Sequence, residues 1–155
     1  MMNKIWKLVI SLIIPFFASV IGGFFTASSV STWYVTLNKP FFNPPSWVFG
    51  PMWTFLYFLM GISLYFVWIN KAKNKKSAFT IFGIQMFLNA VWSVLFFGFQ
   101  NPLFAFIEII LLWFAILFMI IYFYRINKTS AYLLIPYILW VSFAAVLNFS
   151  IFILN

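Results

Sequence analysis

Five stretches of this chain, Leu8–Val30, Ser46–Asn70, Ser77–Phe99, Pro102–Tyr124 and Ser130–Leu154, are almost free of charge and nearly continuously apolar. A helix needs about 20 such residues to cross a hydrocarbon core ~30 Å thick, so each stretch is long enough to span a bilayer. Barrel strands would be about half that length and would alternate apolar with polar positions, which these runs do not. Helices also satisfy every backbone donor and acceptor internally, as lipid requires. The expected fold is therefore all-α: a bundle of five transmembrane helices forming one membrane domain over residues 1–155. Lys4 and Lys7 ahead of the first run resemble a signal peptide's n-region, but Leu8–Val30 exceeds the usual 7 to 15 apolar residues of an h-region, so it reads as a retained span.

The connections agree with these boundaries. Lys71–Lys76 is a basic turn, Gly98–Pro102 closes one helix with Gly and opens the next with Pro, and Arg125–Ser130 is a short polar link. Only Ser31–Pro45 is long. Sorting the nine Lys and Arg residues by span puts Lys39 alone on one side and Lys4, Lys7, Lys71, Lys73, Lys75, Lys76, Arg125 and Lys128 on the other. The positive-inside rule then predicts a cytoplasmic amino terminus, with the long loop and carboxyl terminus outside. Scattered between apolar runs, these charges form no basic patch for nucleic acid. The sequon-like Asn127-Lys128-Thr129 would face the cytoplasm and is discounted. With no His and no Cys, zinc sites, thiol nucleophiles, disulfides and histidine bases are all excluded, and no metal site is expected.

Few polar groups remain to carry function. Glu108 is the single acidic residue, roughly 10 Å inside the fourth run at 1.5 Å per residue, where an ionisable group either serves function or locks helices together. One carboxylate side chain cannot supply paired acid and base catalysts. Gln85, Asn89, Trp92 and Phe96 are spaced by four, three and four and share a helix face. Trp53 and Tyr57 lie one turn apart, and Trp140, Phe143 or Ala144, and Leu147 with Asn148 follow the same rhythm. If these faces converge they make an aromatic cavity with a few hydrogen-bonding groups. The competing reading is that Asn and Gln join helices and that Trp and Tyr anchor at the membrane surface, which suits Trp6 and Trp68. Pro40, Pro44, Pro45 and Pro51 stiffen an aromatic loop that reads as a lid over the cavity or as a segment resting on lipid headgroups. Ala18, Ser19, Gly22 and Gly23 permit close helix packing, either at a dimer seam or inside the bundle.

The longer motifs carry a family resemblance. Trp33-Tyr34-x-x-Leu37-x-Lys39-Pro40 is followed by Pro44-Pro45-x-Trp47-x-Phe49-x-Pro51-x-Trp53 and Leu56-Tyr57-x-x-Met60-Gly61. Leu88-Asn89-x-x-Trp92-Ser93 with Phe96-Phe97-Gly98, and Pro136-Tyr137-x-x-Trp140-x-x-Phe143-Ala144-x-x-Leu147-Asn148, complete the pattern. The whole chain resembles the translocator protein or tryptophan-rich sensory protein family, also called the TspO/MBR or peripheral benzodiazepine receptor family, and its bacterial-type members in particular.

The resemblance implies a homodimeric five-helix receptor in the bacterial cell membrane, surrounded by lipid. It would bind protoporphyrin IX and benzodiazepine- or isoquinoline-type ligands, need no cofactor, and serve tetrapyrrole or stress regulation. It places ligand contacts at Trp33, Tyr34, Trp53, Tyr57, Asn89, Trp92, Trp140, Phe143, Ala144 and Asn148. Light- and oxygen-dependent porphyrin degradation is a further implication, with Trp33 and Trp140 as the oxidisable side chains; whether that amounts to enzymatic turnover stays open. The alternative is a transporter of porphyrins or other lipophilic compounds with Glu108 as coupling site. Phe42 stands where the family often has Trp, and the carboxyl-terminal segment Leu147–Asn155 lacks the central Tyr and following basic residue of the animal cholesterol motif.

Overall fold

The computed structural model describes residues 2–73 and 75–155, and the described residues form helices joined by turns, with no strand. Helix α1, Lys4–Val30, starts at Asn3, whose side chain caps the Ile5 amide. A four-residue helix α2, Trp33–Thr36, interrupts the long loop, and a 3₁₀ turn at Ser46–Val48 leads into α3, Phe49–Ile69. Helix α4, Lys76–Ser93, runs on through a π-helical turn at Val94–Gly98. Helix α5, Pro102–Ile126, opens with Asn101 capping the Phe104 amide and with Pro102 in the first turn, where a missing N–H costs nothing. Asn127 caps the short α6, Lys128–Tyr132, which bends into α7, Ile135–Leu154.

These elements make five crossings, Lys4–Val30, Ser46–Ile69, Lys76–Gly98, Pro102–Ile126 and Lys128–Leu154, each long and apolar enough to span a membrane. The chain is an all-α integral membrane protein. Its fourth crossing continues past Tyr124 because Arg125 lies over the Tyr122 ring at 5.9 Å, and Lys128 lies over Tyr124 at 5.6 Å, so the charges rest on the aromatic end of the helix.

The core follows helical spacing. Leu56, Met60, Leu64 and Val67 of α3 meet Phe82 and Met86 of α4, Ile109, Leu112, Ile116, Met119 and Phe123 of α5, and Tyr137 and Val141 of α7. The outer faces carry Phe17, Val20 and Phe24 of α1, Phe87 of α4 and Phe118 of α5, all exposed, as expected of surfaces that meet lipid.

Helix α1 is held by two different partners along its length. Near its middle, Gly61 of α3 sits so close that a Cβ there would come within 2.9 Å of the Leu12 Cα and the Ser11 carbonyl oxygen. Towards its far end α1 leans on α4 instead. A Cβ on Gly22 would meet the Ser93 Oγ at 2.9 Å, Phe25 lies against Gly98, and the Ser29 hydroxyl donates to the Phe97 carbonyl at 2.7 Å. The small residues of α1 thus serve packing inside the bundle at Gly22.

Candidate functional site

Because α1 leans towards α4 at the end nearest the long loop, a cavity of about 270 Å³ opens beneath that loop between α1, α3, α4 and α7. Its walls are aromatic. Trp53 stacks on Tyr57 with ring centres 5.6 Å apart, Trp92 stacks on Phe96 at 5.2 Å, and Trp140 contacts Phe49 and Phe143 edge-on or tilted. The π-helical turn supplies Phe96 and Phe97 together. In a regular helix neighbouring residues point about 100° apart, whereas the wider turn buries both rings against the cavity.

The polar groups sit at defined points. The Trp92 indole N–H donates to the Asn148 Oδ1 at 3.1 Å, and the Asn148 amide donates to the Pro102 carbonyl at 2.7 Å, so two helices and the start of a third are tied at one rim. Deeper, the Tyr57 hydroxyl donates to Asn89 Oδ1 at 2.6 Å, the Asn89 amide donates to the Tyr137 hydroxyl at 3.0 Å, and that hydroxyl donates to Gln85 Oε1 at 2.9 Å. This chain crosses α3, α4 and α7 and ends at the cavity on Tyr57. Three buried groups nearby have no partner: the Trp140 indole N–H, the Gln85 amide nitrogen and both carboxylate oxygens of Glu108. Glu108 is only 6% exposed and projects from α5 among Ala105, Ile109 and Leu112.

Above the cavity Tyr34 is 2% exposed and holds the loop closed. Its hydroxyl donates to Asn43 Oδ1 at 2.6 Å, its ring packs against Phe49, Phe96 and Phe97, and the Lys39 ammonium lies 5.0 Å from the ring centre. The loop is also clamped to the end of α7. The Asn38 amide N–H donates to Asn155 Oδ1, and the Asn155 side chain donates back to the Asn38 carbonyl, each at 3.0 Å.

Burial pushes the Tyr34 phenol up to about 12 despite the bond to Asn43. A raised phenol contributes stability that is complete below the unfolded value near 10 and is lost as pH rises towards 12. The stability advantage of the parent over Tyr34→Phe is therefore expected to shrink between pH 10 and pH 12. Parallel unfolding curves in detergent would measure it, and a difference constant over that window would contradict the account.

Of the ten positions expected to contact ligand, Tyr34, Trp53, Tyr57, Trp92, Trp140, Ala144 and Asn148 line the cavity. Three do not. Trp33 lies behind the wall, its ring edge-on to Phe96 at 5.5 Å, because the α2 turn directs Tyr34 inward and Trp33 towards a second, more open cleft beside Asn101 and Asn155. Asn89 is one hydrogen bond behind Tyr57, and Phe143 backs Trp140 and contacts Phe42 of the loop. The α1 wall, with Phe16, Ser19, Gly22, Gly23 and Thr26, is the part that sequence reasoning missed. Its one signal was the run of small residues that also fits a dimer seam.

Residues 11–154 match the model of the TspO/MBR family. The chain belongs to that family. A tryptophan-rich protein TspO of Archaeoglobus fulgidus is 49% identical over 152 residues, covering 98% of this chain and 99% of the relative. A tryptophan-rich sensory protein of Cereibacter sphaeroides is 32% identical over 79% of this chain and 77% of its own length. The human translocator protein is 31% identical over 88% of this chain and 83% of its own. In this TspO/MBR member the tryptophans that give the relatives their name include cavity residues, Trp53, Trp92 and Trp140, exposed ones, Trp6 and Trp47, and half-buried Trp33, Trp68 and Trp113 outside the cavity.

Proposed function

We propose that this chain is a membrane receptor for flat aromatic ligands, protoporphyrin IX and benzodiazepine- or isoquinoline-type compounds among them, held in the cavity beneath the long loop. The observation that carries the reading is the pairing of stacked aromatic walls with very few polar points. Ring faces at Trp53, Trp92 and Trp140 suit a planar π-system, and the hydroxyl of Tyr57 and the side chain of Asn148 are polar points on the same wall. At about 270 Å³ the cavity falls just below the usual range of about 300–1,000 Å³. A two- or three-ring compound would fit within it, while a tetrapyrrole would be enclosed in part.

The charge split supports an orientation with the basic end of the bundle in the cytoplasm and the loop outside. A dimer would use a face other than Gly22, which α4 occupies. Carriage across the membrane is the weaker reading, since carriers commonly rest on internal repeats and the five crossings show none in sequence.

A bound porphyrin would bring its own photochemistry by sensitising oxygen, while the protein orients the ring and places an oxidisable indole beside it. Trp140 is that indole; Trp33 stands one ring further away, behind Phe96. The test is titration with metal-free protoporphyrin and with haem in the dark, then illumination with and without oxygen while porphyrin absorbance and tryptophan fluorescence are followed. Metal-free porphyrin is expected to bind at least as tightly as haem, because no His or Cys is present as an axial ligand. Trp140→Phe is expected to slow light-dependent porphyrin loss about tenfold, equivalent to ~1.4 kcal/mol, and Trp33→Phe to slow it less. Parent rates in both variants would refute the tryptophan role, and absence of porphyrin binding would refute the whole reading.

A further inference from the structure

The cavity's lining residues are buried or half-buried with three exceptions, Gly23 on α1 and Gly50 and Thr54 on α3. All three lie on the same seam. A Cβ built on Gly23 or Gly50 would meet nothing within 4 Å, so the space beside both glycines is open. The seam has a reason to part here. Helix α1 is pinned to α3 at Gly61 and to α4 at Gly22 and the Phe25–Gly98 contact, so α1 and α3 diverge from Gly61 towards the loop.

The gap also has a chemical character. The hydroxyls along it are turned back onto their own helices: Thr54 donates to the Gly50 carbonyl at 2.9 Å, Thr26 to the Gly22 carbonyl at 2.9 Å and Ser19 to the Phe16 carbonyl at 2.6 Å. The hydroxyl hydrogens along the gap are thereby spent within the helices. The exposed side chains outside it, Val20 and Phe24 on α1 and Phe55 on α3, belong to surfaces that meet acyl chains. At 1.5 Å per residue Gly23 and Thr54 lie roughly 10 Å below the loop ends of their crossings and Gly50 about 6 Å, so the gap runs from the interface into the hydrocarbon. The roof, by contrast, is closed by Tyr34 and its bond to Asn43.

We infer that ligands enter and leave this cavity sideways, from the acyl-chain layer of the bilayer, through a gap between α1 and α3 bounded by Gly23, Gly50 and Thr54, and not through the loop from water. The inference rests on the cavity being the ligand site. It selects for planar amphiphiles that partition into lipid with any carboxylates left at the headgroups, and it lets the edge of a ligand too large for the cavity remain in the gap.

The experiment has two arms. In the first, the full chain in phosphatidylcholine vesicles is mixed with protoporphyrin IX and tryptophan quenching is followed in time. Gly23→Leu combined with Gly50→Leu is expected to slow both association and dissociation at least ~10-fold, whereas damage to the cavity wall alone would speed dissociation. Gly83→Leu, an exposed α4 glycine that also has open space beside it, is the control and is expected to match the parent. Parent-like rates in the double variant, with binding intact, would overturn the portal. The second arm needs no ligand. The chain has no cysteine, so single Gly23→Cys and Thr54→Cys variants can carry a nitroxide without further changes. Collisional relaxation by oxygen is expected to exceed that by a water-soluble nickel chelate at both sites; the reverse order would mean that the gap opens to water and would overturn the inference. Failure of protoporphyrin to bind the parent would refute the receptor reading alone, since the second arm would still decide where the gap leads.

Discussion

Replacing Asn89 by leucine is expected to destabilise the protein by about 2–4 kcal/mol, several times what one interhelical hydrogen bond in a membrane contributes on average. Asn89 is the middle of the chain that runs from Tyr57 to Gln85, and it is 3% exposed. An average membrane hydrogen bond is worth only ~0.6 kcal/mol, because the unfolded chain in lipid finds other partners. Asn89→Leu does more than remove two such bonds. It leaves the buried Tyr57 hydroxyl without an acceptor, an orphaned group that costs about 1–3 kcal/mol, while the Tyr137 hydroxyl loses one donor and keeps its bond to Gln85. For a chain of this size that corresponds to a fall of roughly 5–15 °C in thermal midpoint. Adding Tyr57→Phe to the same variant removes the orphaned hydroxyl while leaving the Tyr137–Gln85 bond in place, and is expected to restore part of the loss. If Asn89→Leu cost no more than the ~0.6 kcal/mol average, or if the double variant were worse than the single one, the chain would not act as a unit.

The same residues show what the sequence made legible and what it hid. Five crossings follow from composition and length, and caps at Asn101 and Asn127 mark helix starts in plain residue types. The four-three-four spacing of Gln85, Asn89, Trp92 and Phe96 is a helical period, so it identifies a shared face before any coordinates exist. It cannot show that the π turn brings Phe97 round to join Phe96, because hydrogen-bond register inside a continuous apolar run leaves no mark in the residue pattern.

Side-chain direction in the long loop was equally hidden. Trp33 and Tyr34 are adjacent aromatics, and only the α2 turn decides that Tyr34 faces the cavity while Trp33 does not. Glycine is the hardest case, since Gly22 and Gly61 mark close approach whereas Gly23 and Gly50 border empty space, and the letter is the same for both. The Asn38–Asn155 clamp joins residues too distant in sequence for any local signal to connect them.

Filling the cavity should have the largest effect on binding. Ala144 is the smallest α7 residue on the wall, one helical turn from both Trp140 and Asn148. A dry cavity of about 150 Å³ holds a benzene-sized ring. The cavity here is about 270 Å³, so the phenyl group added by Ala144→Phe finds room without displacing the core. What then remains, roughly 120 Å³, is too small for a second ring by the same measure. Affinity for a planar polycyclic ligand is accordingly expected to fall at least ~100-fold, or ~2.7 kcal/mol, while the thermal midpoint of the ligand-free protein stays within a few degrees of the parent. Ligand-induced thermal stabilisation should vanish with it, because that shift follows occupancy of the folded state. Ala144→Gly, which adds no bulk, is expected to keep the parent's affinity and so separates space from stability. Tight binding by a well-folded Ala144→Phe protein would place the ligand outside this cavity, and the roles assigned to Trp92, Trp140 and Asn148 would fall together with it.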